Sequence, residues 1–544
     1  MRLDPKLEVI GEMATNTLGT TPERLRGRWL GLAALTISGL VLGLDITILV
    51  TALPTLSAKL SATTDQLQWM SAAYTLALAG FMLPAGVLGD RLGRKRMLLL
   101  GLVTFGISSV VASQMTSANG LILMRVIMGA SGAIVLPLMQ SMLPSMFQPD
   151  ERQRAIGLSG AGAFIGLPLG PLIAGWLLTH YDWGSIFLIN APVVVVAVIG
   201  VWFFVPESKD PAARRLDWIG AILEVVGVTG IVYGIIEEPL HGWSDVQVYG
   251  PIAGGVVLLA AFALRQLRVR FPLIDLKLFR SARFTWATVA FTVVGFAMTG
   301  VLFILSPFLQ IVQGNDAQGT GIRLIPLIAA MMVGAISTDF LAKRLGSKIV
   351  VAAGMLGNAV GMFMLSRVGV DSGYEQVAIA LAVIGLSIAL TMIPALDAIL
   401  GSLPAGETGA GSALTRTLQN IGSSFGVAIM GSILNGAYKS QLSGQLTGLP
   451  SQVQSAAESS VAVAAALAHR IPGPAGAHLL RAAQDAYSQG MSEVMLVSAA
   501  MMIAGAILMA LFLPARAPQT PPVPAEESPL PAGERLRERG VMTP

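Results

Sequence analysis

The sequence predicts an all-α integral membrane protein of about fourteen transmembrane helices. Three observations carry that expectation. Of the 544 residues, 54% are hydrophobic and only 12% charged, and the mean hydropathy is +0.70. A soluble domain normally carries about 25% charged residues, so a chain this apolar cannot cover itself with polar surface in water. Apolar windows of about 20 residues, the length that crosses a hydrocarbon core, recur along nearly the whole chain. Lys and Arg gather between alternate windows, as they do in cytoplasmic loops.

The windows fall at 30–53, 68–89, 98–115, 121–143, 156–178, 187–205, 217–236, 249–267, 286–311, 321–340, 349–368, 376–400, 410–434 and 491–513. Strands of a membrane barrel would alternate apolar and polar over ~10 residues. These runs are longer and apolar on every side, so helices are expected, because a helix satisfies its own backbone in lipid. Arg24, Arg26 and Arg28 precede the first window, and Arg91, Arg94, Lys95 and Arg96 follow the second. Arg152 and Arg154 follow the fourth, Arg214 and Arg215 the sixth, and a basic stretch from Arg265 to Arg283 the eighth. Lys343, Arg344 and Lys348 follow the tenth, and Arg535, Arg537 and Arg539 lie in the tail. The intervening loops hold almost none: Lys59, then Lys439, Arg470 and Arg481. This alternation predicts an even helix count with both termini cytoplasmic. The N-terminus is polar and the first run too long for a signal-peptide core. Short loops and the lack of a targeting segment point to a bacterial inner membrane.

The expected organisation is a cytoplasmic lead at 1–29, six helices over 30–206, and a linker with two additional helices over 207–284. Six further helices follow over 285–514, with one large external loop at 436–490 whose Ala-rich part, 453–469, reads as a surface helix. Residues 515–544, rich in Pro, Glu and Arg, read as a disordered tail. The loop after the second helix has an echo after the tenth: Arg91-Leu92-Gly93-Arg94-Lys95 against Arg344-Leu345-Gly346-Ser347-Lys348. Repeated halves are common in secondary transporters, whose site lies between them near the midplane.

Several chemistries are excluded. The chain has no cysteine, so disulfides, thiolate catalysis and iron–sulfur clusters are out. Four scattered histidines do not make a metal site. No Gly-x-x-x-x-Gly-Lys-Ser/Thr loop offers ATP as an energy source. The basic balance follows from topology and needs no nucleic acid. Acids in the apolar runs are too dispersed for a membrane-bound transferase, so no enzyme is expected.

The most specific segment joins the second and third helices: Gly86-Val87-Leu88-Gly89-Asp90-Arg91-Leu92-Gly93-Arg94-Lys95-Arg96. Glycines let helix ends approach closely. Asp90 among Arg91, Arg94 and Lys95 can cap a helix and pair with guanidinium groups, a latch made in one conformation and broken in another. Asp45 lies inside an apolar run, where a charge costs about 2.5–3.5 kcal/mol on insertion scales and usually marks an ion pathway. Gly162, Gly166 and Gly170, followed by Pro171 and Gly175, form a small-residue groove suited to tight helix packing, and Pro171 permits a bend. Asp397 and Arg416 both fall toward the cytoplasmic end, where they can pair with each other, or Asp397 can face a cavity. Asp339 reads as a partner of the basic loop beside it. Trp69, Tyr74, Gln140, Gln310, Gln419 and Asn420 are the polar or aromatic candidates for a cavity wall, and the 25 methionines would suit an adaptable pocket.

The loop at 86–96 resembles the signature loop of the major facilitator superfamily. Leu44-Asp45-Ile46-Thr47 through Ala52-Leu53-Pro54 is similar to the first-helix motif of its fourteen-helix drug:proton antiporters. The Gly162 to Gly175 series is similar to their fifth-helix antiporter motif. Leu67-Gln68-Trp69, Trp183 to Pro192 and Arg215-Leu216-Asp217-Trp218 match the same family. The resemblance runs from about residue 30 to 513 and implies a major facilitator fold, two six-helix bundles plus two additional helices. Leu121-x-x-x-Arg125-x-x-x-Gly129 resembles the motif that sets an Arg beside the first-helix acid. Arg stays charged when buried, so Asp45 is its expected partner and the pair its expected proton-coupling centre. Met128 stands where the family pattern has Gln. Ser71-Ala72-Ala73, Ala329-Ala330-Met331 and Thr415-Arg416-Thr417 lack the extra acids of quaternary-ammonium exporters, which argues against a dicationic substrate. The implied activity is export of amphiphilic small molecules in exchange for protons. The chain is expected to act as a monomer in the lipid bilayer, with no cofactor beyond the proton gradient. The same fold can instead export a lipid, siderophore or other endogenous metabolite.

Overall fold

The computed structural model describes residues 27–209, 216–270, 272–403, 408–446 and 450–514. The expectations for residues 1–26 and 515–544 fall outside these. Among the described residues, twelve helices are long and apolar enough to cross a membrane. We number the long helices α1 (Arg28–Leu60), α2 (Thr64–Leu92), α3 (Arg94–Ala112), α4 (Ala118–Ser141), α5 (Pro149–His180), α6 (Asn190–Phe204) and α7 (Trp218–His241). They continue as α8 (Val246–Arg268), α9 (Ala282–Pro307), α10 (Ile325–Leu345), α11 (Ser347–Ser366), α12 (Tyr374–Leu400), α13 (Thr408–Ser443) and α14 (Pro474–Phe512). Helices α5 and α13, of 32 and 36 residues, complete the fourteen with the twelve apolar spans.

Local chemistry starts many of these helices. Thr63 and Gln66 form a capping box ahead of α2. Ser117, Asp217, Asp245 and Ser281 accept hydrogen bonds from first-turn amides of α4, α7, α8 and α9. Asp316 does the same for the short helix Ala317–Arg323 that leads into α10. The two echoing loops adopt the same kind of turn: Gly93 and Gly346, at φ +116° and +84°, each end one helix and begin the next. A side chain at either position would be strained.

Helices α1–α6 pack on one another, chiefly α1 with α5 and α6, α2 with α4, and α3 with α4 and α6. Helices α9–α14 do likewise, through α9 with α13 and α12, α12 with α10 and α11, and α14 with α11 and α13. Helices α7 and α8 pair, and α7 touches both α2 and α13. The groups meet along α2 and α13, and where α5 crosses Ala317–Arg323. The chain therefore has a basic face, carrying Arg28, Arg94, Arg265 and Arg344, and an opposite face. Arg323 and Arg367 also lie toward the opposite face, beyond the few cations expected there. The perimeter is greasy, with Trp202, Phe203 and Ile336 exposed at 62%, 72% and 81%, as a lipid-facing surface requires.

Residues 436–490, expected as a loop with one surface helix at 453–469, are helical over most of their described length. α13 runs on to Ser443 and α14 begins at Pro474, with helices Ser451–Ser459 and Val461–Arg470 between them. The apolar windows end sooner than these helices, which extend further by packing on each other. Tyr438 and Tyr487 meet edge to face at 6.4 Å, and their hydroxyls donate to the carbonyls of Ala457 and Ile304. The expected surface helix over 453–469 is two helices, broken at Ser460, whose side chain accepts from the Ala462 amide.

Glycines bring the helices within backbone contact. A Cβ at Gly166 would stand 2.6 Å from the Leu40 carbonyl oxygen and 2.9 Å from the Leu44 amide of α1. Overpacking of this kind costs about 1–3 kcal/mol. Gly166→Ala should lower unfolding stability in detergent by that amount. Gly254→Ala on α8, where a Cβ meets nothing within 4 Å, should leave stability unchanged or raise it by about 0.5–1 kcal/mol. Asp217 supplies a pH readout. Burial pushes its carboxyl up, but the Arg265 ion pair at 2.7 Å, the Gly220 amide and Gln266 outweigh burial and hold it below the ordinary range. Its contribution is complete above the ordinary carboxylate range and lost as pH falls through the lowered value of the folded protein. Asp217→Asn should therefore flatten the acid limb of a thermal-stability profile.

Candidate functional site

Midway along α1, Asp45 is fully buried, and Arg125 of α4 is 1% exposed. The Arg125 Nη1 donates to Asp45 Oδ2 at 2.6 Å. The other carboxylate oxygen accepts from Asn190 Nδ2 at 3.2 Å, and Asn190 also donates to Ser109 Oγ at 3.0 Å. Arg125 Nε donates to the Met70 carbonyl at 3.1 Å, and its guanidinium lies 4.2 Å from the Tyr74 ring centroid. A buried charge is tolerable only when paired and otherwise hydrogen-bonded. Here an ion pair, two hydrogen bonds and an aromatic face supply that, drawn from α1, α2, α4 and α6. Close helix approach makes the arrangement possible: a Cβ on Gly129, one turn from Arg125, would run into the Tyr74 carbonyl.

Arg125 lines a small central cavity between the two groups, and Asp45 lies buried behind it. Arg125, Tyr74 and Thr75 line it from the first group, and Thr299, Phe303 and Val427 from the second. A second small cavity lies toward the opposite face, bounded by Ser57, Asn435, Tyr438, Ser460 and Tyr487. Side-chain hydrogen bonds join the two groups at Thr75–Ser424 (2.6 Å), Gln310–Thr51 carbonyl (2.7 Å), Ser57–Ser460 (2.9 Å) and Thr64–Ser459 carbonyl (2.8 Å). These run from the middle of the molecule to the opposite face, which is therefore the closed side of this conformation.

The expected cavity residues scatter. Tyr74 is on the wall. Trp69 instead turns to α7, its ring 6.1 Å from that of Tyr233. Gln310 ties the groups together through the Thr51 carbonyl and also donates to Ser306, one turn back in its own group. Gln419 packs its stem against Gly295 of α9. Asn420 accepts Ser424's hydroxyl through its backbone carbonyl, and Gln140 sits near the basic end of α4, outside both cavities. Asp397 is exposed, and its charged neighbours are Asp339 and Arg283, so it does not pair with Arg416. Asp339 pairs with Lys343 on its own helix. Sequence reading missed Asn190 as the second partner of Asp45, although it stood inside a quoted motif. It also missed Thr299, Phe303 and Val427, which carry no sequence signal of their own.

In the fifth-helix series, Gly166 and Gly170 seat α5 on α1 around Leu40, Leu44 and Thr47. Gly175 meets the Ala317 carbonyl of the second group, and the Pro171 carbonyl meets Gly321. The series thus grips α1 beside Asp45 and forms part of the closed seam. The surroundings of Gly162 lie outside the described residues. In the loop at 86–96, Arg94 Nε donates to Asp90 at 2.7 Å, and its Nη1 to the Ser141 carbonyl at 3.3 Å. Glu207, after α6, accepts from the Lys95 amide at 3.0 Å and lies 3.6 Å from Arg96. Asp90 therefore binds its own loop, and the recorded partners of this loop all belong to the first group. Arg91 is exposed, and a Cβ on Gly86 would meet nothing.

Two groups of membrane-length helices around a central cavity, with an ion pair buried behind its wall, define a membrane transporter rather than an enzyme. The chain belongs to the Major Facilitator Superfamily, whose family model matches residues 35–427. It is 31% identical to the tetracenomycin C resistance and export protein of Streptomyces glaucescens, over 76% of this chain and 78% of that one. It is 29% identical to the multidrug efflux pump LfrA of Mycolicibacterium smegmatis, over 89% and 96%. It is 30% identical to the methyl viologen resistance protein SmvA of Salmonella typhimurium, over 85% and 93%. Among solved structures it matches an inward-facing bacterial homolog of the human lysosomal transporter Spinster. That match has a TM-score of 0.66 at 18% identity, covering 92% of this chain and 100% of that one.

Removing one member of a buried pair leaves the other charge uncompensated, at a cost of about 3–5 kcal/mol. Arg125→Ala should lose that much stability in detergent unfolding. The double variant Asp45→Asn/Arg125→Gln should recover a good part of it, giving a large favourable coupling energy in the double-mutant cycle.

Proposed function

We propose that this transporter exports amphiphilic, drug-like small molecules in exchange for protons, with the basic face cytoplasmic in a bacterial inner membrane. The observation that carries the reading is the Asp45–Arg125 pair. Arg125 lines the cavity with Asp45 bonded behind it, so protonation of Asp45 weakens the bond to Arg125 and frees the guanidinium toward the cavity. Export resistance in the related proteins supports the cargo class. The mixed apolar and polar wall, with Phe303, Val427, Tyr74 and Thr299, suits amphiphiles held by shape and a few polar contacts.

In this reading the two groups of helices rock about the central cavity. In the present conformation the opposite face is joined, and cargo enters from the basic face. Outward opening requires the seam at Gln310, Ser460 and Gly175 to part, while the 86–96 loop exchanges its partners within the first group for partners across the groups. No cofactor is needed, since the gradient supplies the energy, and a monomer contains the whole pathway.

The test uses inverted membrane vesicles energised to an acid interior. Addition of ethidium, a fluorescent amphiphile, or of related aromatic drugs should release protons from native vesicles. Asp45→Asn should reduce that release to the level of vesicles without the protein. Equal traces from both proteins would remove Asp45 from coupling.

A further inference from the structure

Helix α7 carries a second acid in the membrane that the Asp45 site does not use. Glu224 lies six residues into α7, about 9 Å along the helix from its basic-face end, and so inside a hydrocarbon core of about 30 Å. It is 3% exposed, and among the described residues neither carboxylate oxygen has a hydrogen-bond partner. On one side of it, Gly227 and Gly234 face Leu259 and Val248 of α8. On the other, Val225 packs on Gly80 of α2, and Val228 and Val232 cluster with Ala72, Leu76 and Ala428 of α2 and α13. Ser432 of α13 donates to the Ile235 carbonyl further along. Glu224 thus sits where the additional helix pair meets both groups of helices.

The charged groups on the packed helices are engaged elsewhere or make no bond to Glu224. On α8, Arg265 is bound to Asp217 at the basic-face end, and Arg268 lies beyond it. α2 has no charged residue between Asp65 and Asp90. On α13, Arg416 lies at a similar depth but makes no ion pair or hydrogen bond with Glu224, whose two oxygens are without partners among the described residues. An ionised carboxylate here would have neither water, counter-ion nor donor, which buried charges do not tolerate. A neutral carboxylic acid would be accommodated.

We propose that Glu224 is a second proton-binding site of the transporter, placed where α7 meets α2 and α13, holding a proton in this conformation and exchanging it with water when that seam opens. The inference rests on the proton-exchange reading. It gives the two additional helices a part in coupling: their acid is sealed while α2 and α13 are held at Thr75–Ser424, and the relative motion of those helices uncovers it.

The test needs no substrate, so its failure and that of drug–proton exchange are separable. Full-length protein in lipid nanodiscs is compared with Glu224→Gln by infrared difference spectroscopy across a pH titration. The expected result is a protonated-carboxyl stretch at neutral pH that is missing from Glu224→Gln and present, shifted, in Glu224→Asp. It should disappear reversibly as pH is raised, with one proton fewer released per chain by the Gln variant. Loss of only ionised-carboxylate bands in Glu224→Gln would overturn the proposal. So would a protonated band that does not change up to alkaline pH, because the group would then be sealed and structural. If Glu224→Gln does not fold, the Asp variant's shifted and titrating band decides alone, and an unshifted spectrum refutes the assignment.

Discussion

The rest of the structure is organised around one ion pair that lipid cannot solvate. Asp45 and Arg125 are both almost wholly buried, so each is held by the other and by a short set of neutral groups. Those groups come from four helices: Met70 and Tyr74 on α2, Arg125 on α4, Asn190 on α6, and Asp45 itself on α1. The pair therefore fixes the relative positions of most of the first bundle. It also makes that bundle responsive, since neutralising one carboxyl removes the strongest bond among the four helices. A transport cycle needs such an interaction, stable in one protonation state and weaker in the other.

Glycine supplies the complementary constraint. Without a hydrophobic drive between helices in lipid, contact depends on close backbone approach. α1 is gripped at Gly166 and Gly170 on the stretch that carries Asp45, and the same helix α5 meets Ala317–Arg323 across the seam through Gly175. The acid and the closed seam are thus mechanically joined through α5. The second bundle uses the same device: Gly422 and Gly426 of α13 meet the backbone of α9, and Gly385 of α12 meets Leu327.

What was legible in the chain was set by local or one-dimensional physics. Helix number followed from the length of apolar runs, and Asp45 was visible as an acid where acids are expensive. Glu224 carried the same signal in the run 217–236 and was passed over. Trp69 and Asp397 were misplaced for a different reason. Trp69 lies on a helix that borders the cavity but faces α7, because side-chain direction depends on helix rotation. Asp397 lies on α12, which lines neither cavity, with Asp339 and Arg283 as its charged neighbours. Gln310 was expected to meet cargo and instead bonds a backbone carbonyl of the facing bundle, a partner 259 residues away in the chain.

Composition and pattern alone determined the all-helical membrane class, the spans and the turns at Gly93 and Gly346, because hydrophobic length and backbone conformation are properties of neighbouring residues. Tertiary structure alone decided that Asn190 completes the Asp45 site, that Thr299, Phe303 and Val427 close the cavity, and that the helix expected at 453–469 is two helices broken at Ser460. These depend on which surfaces distant helices turn toward each other, and nothing in a linear run of apolar residues encodes that rotation.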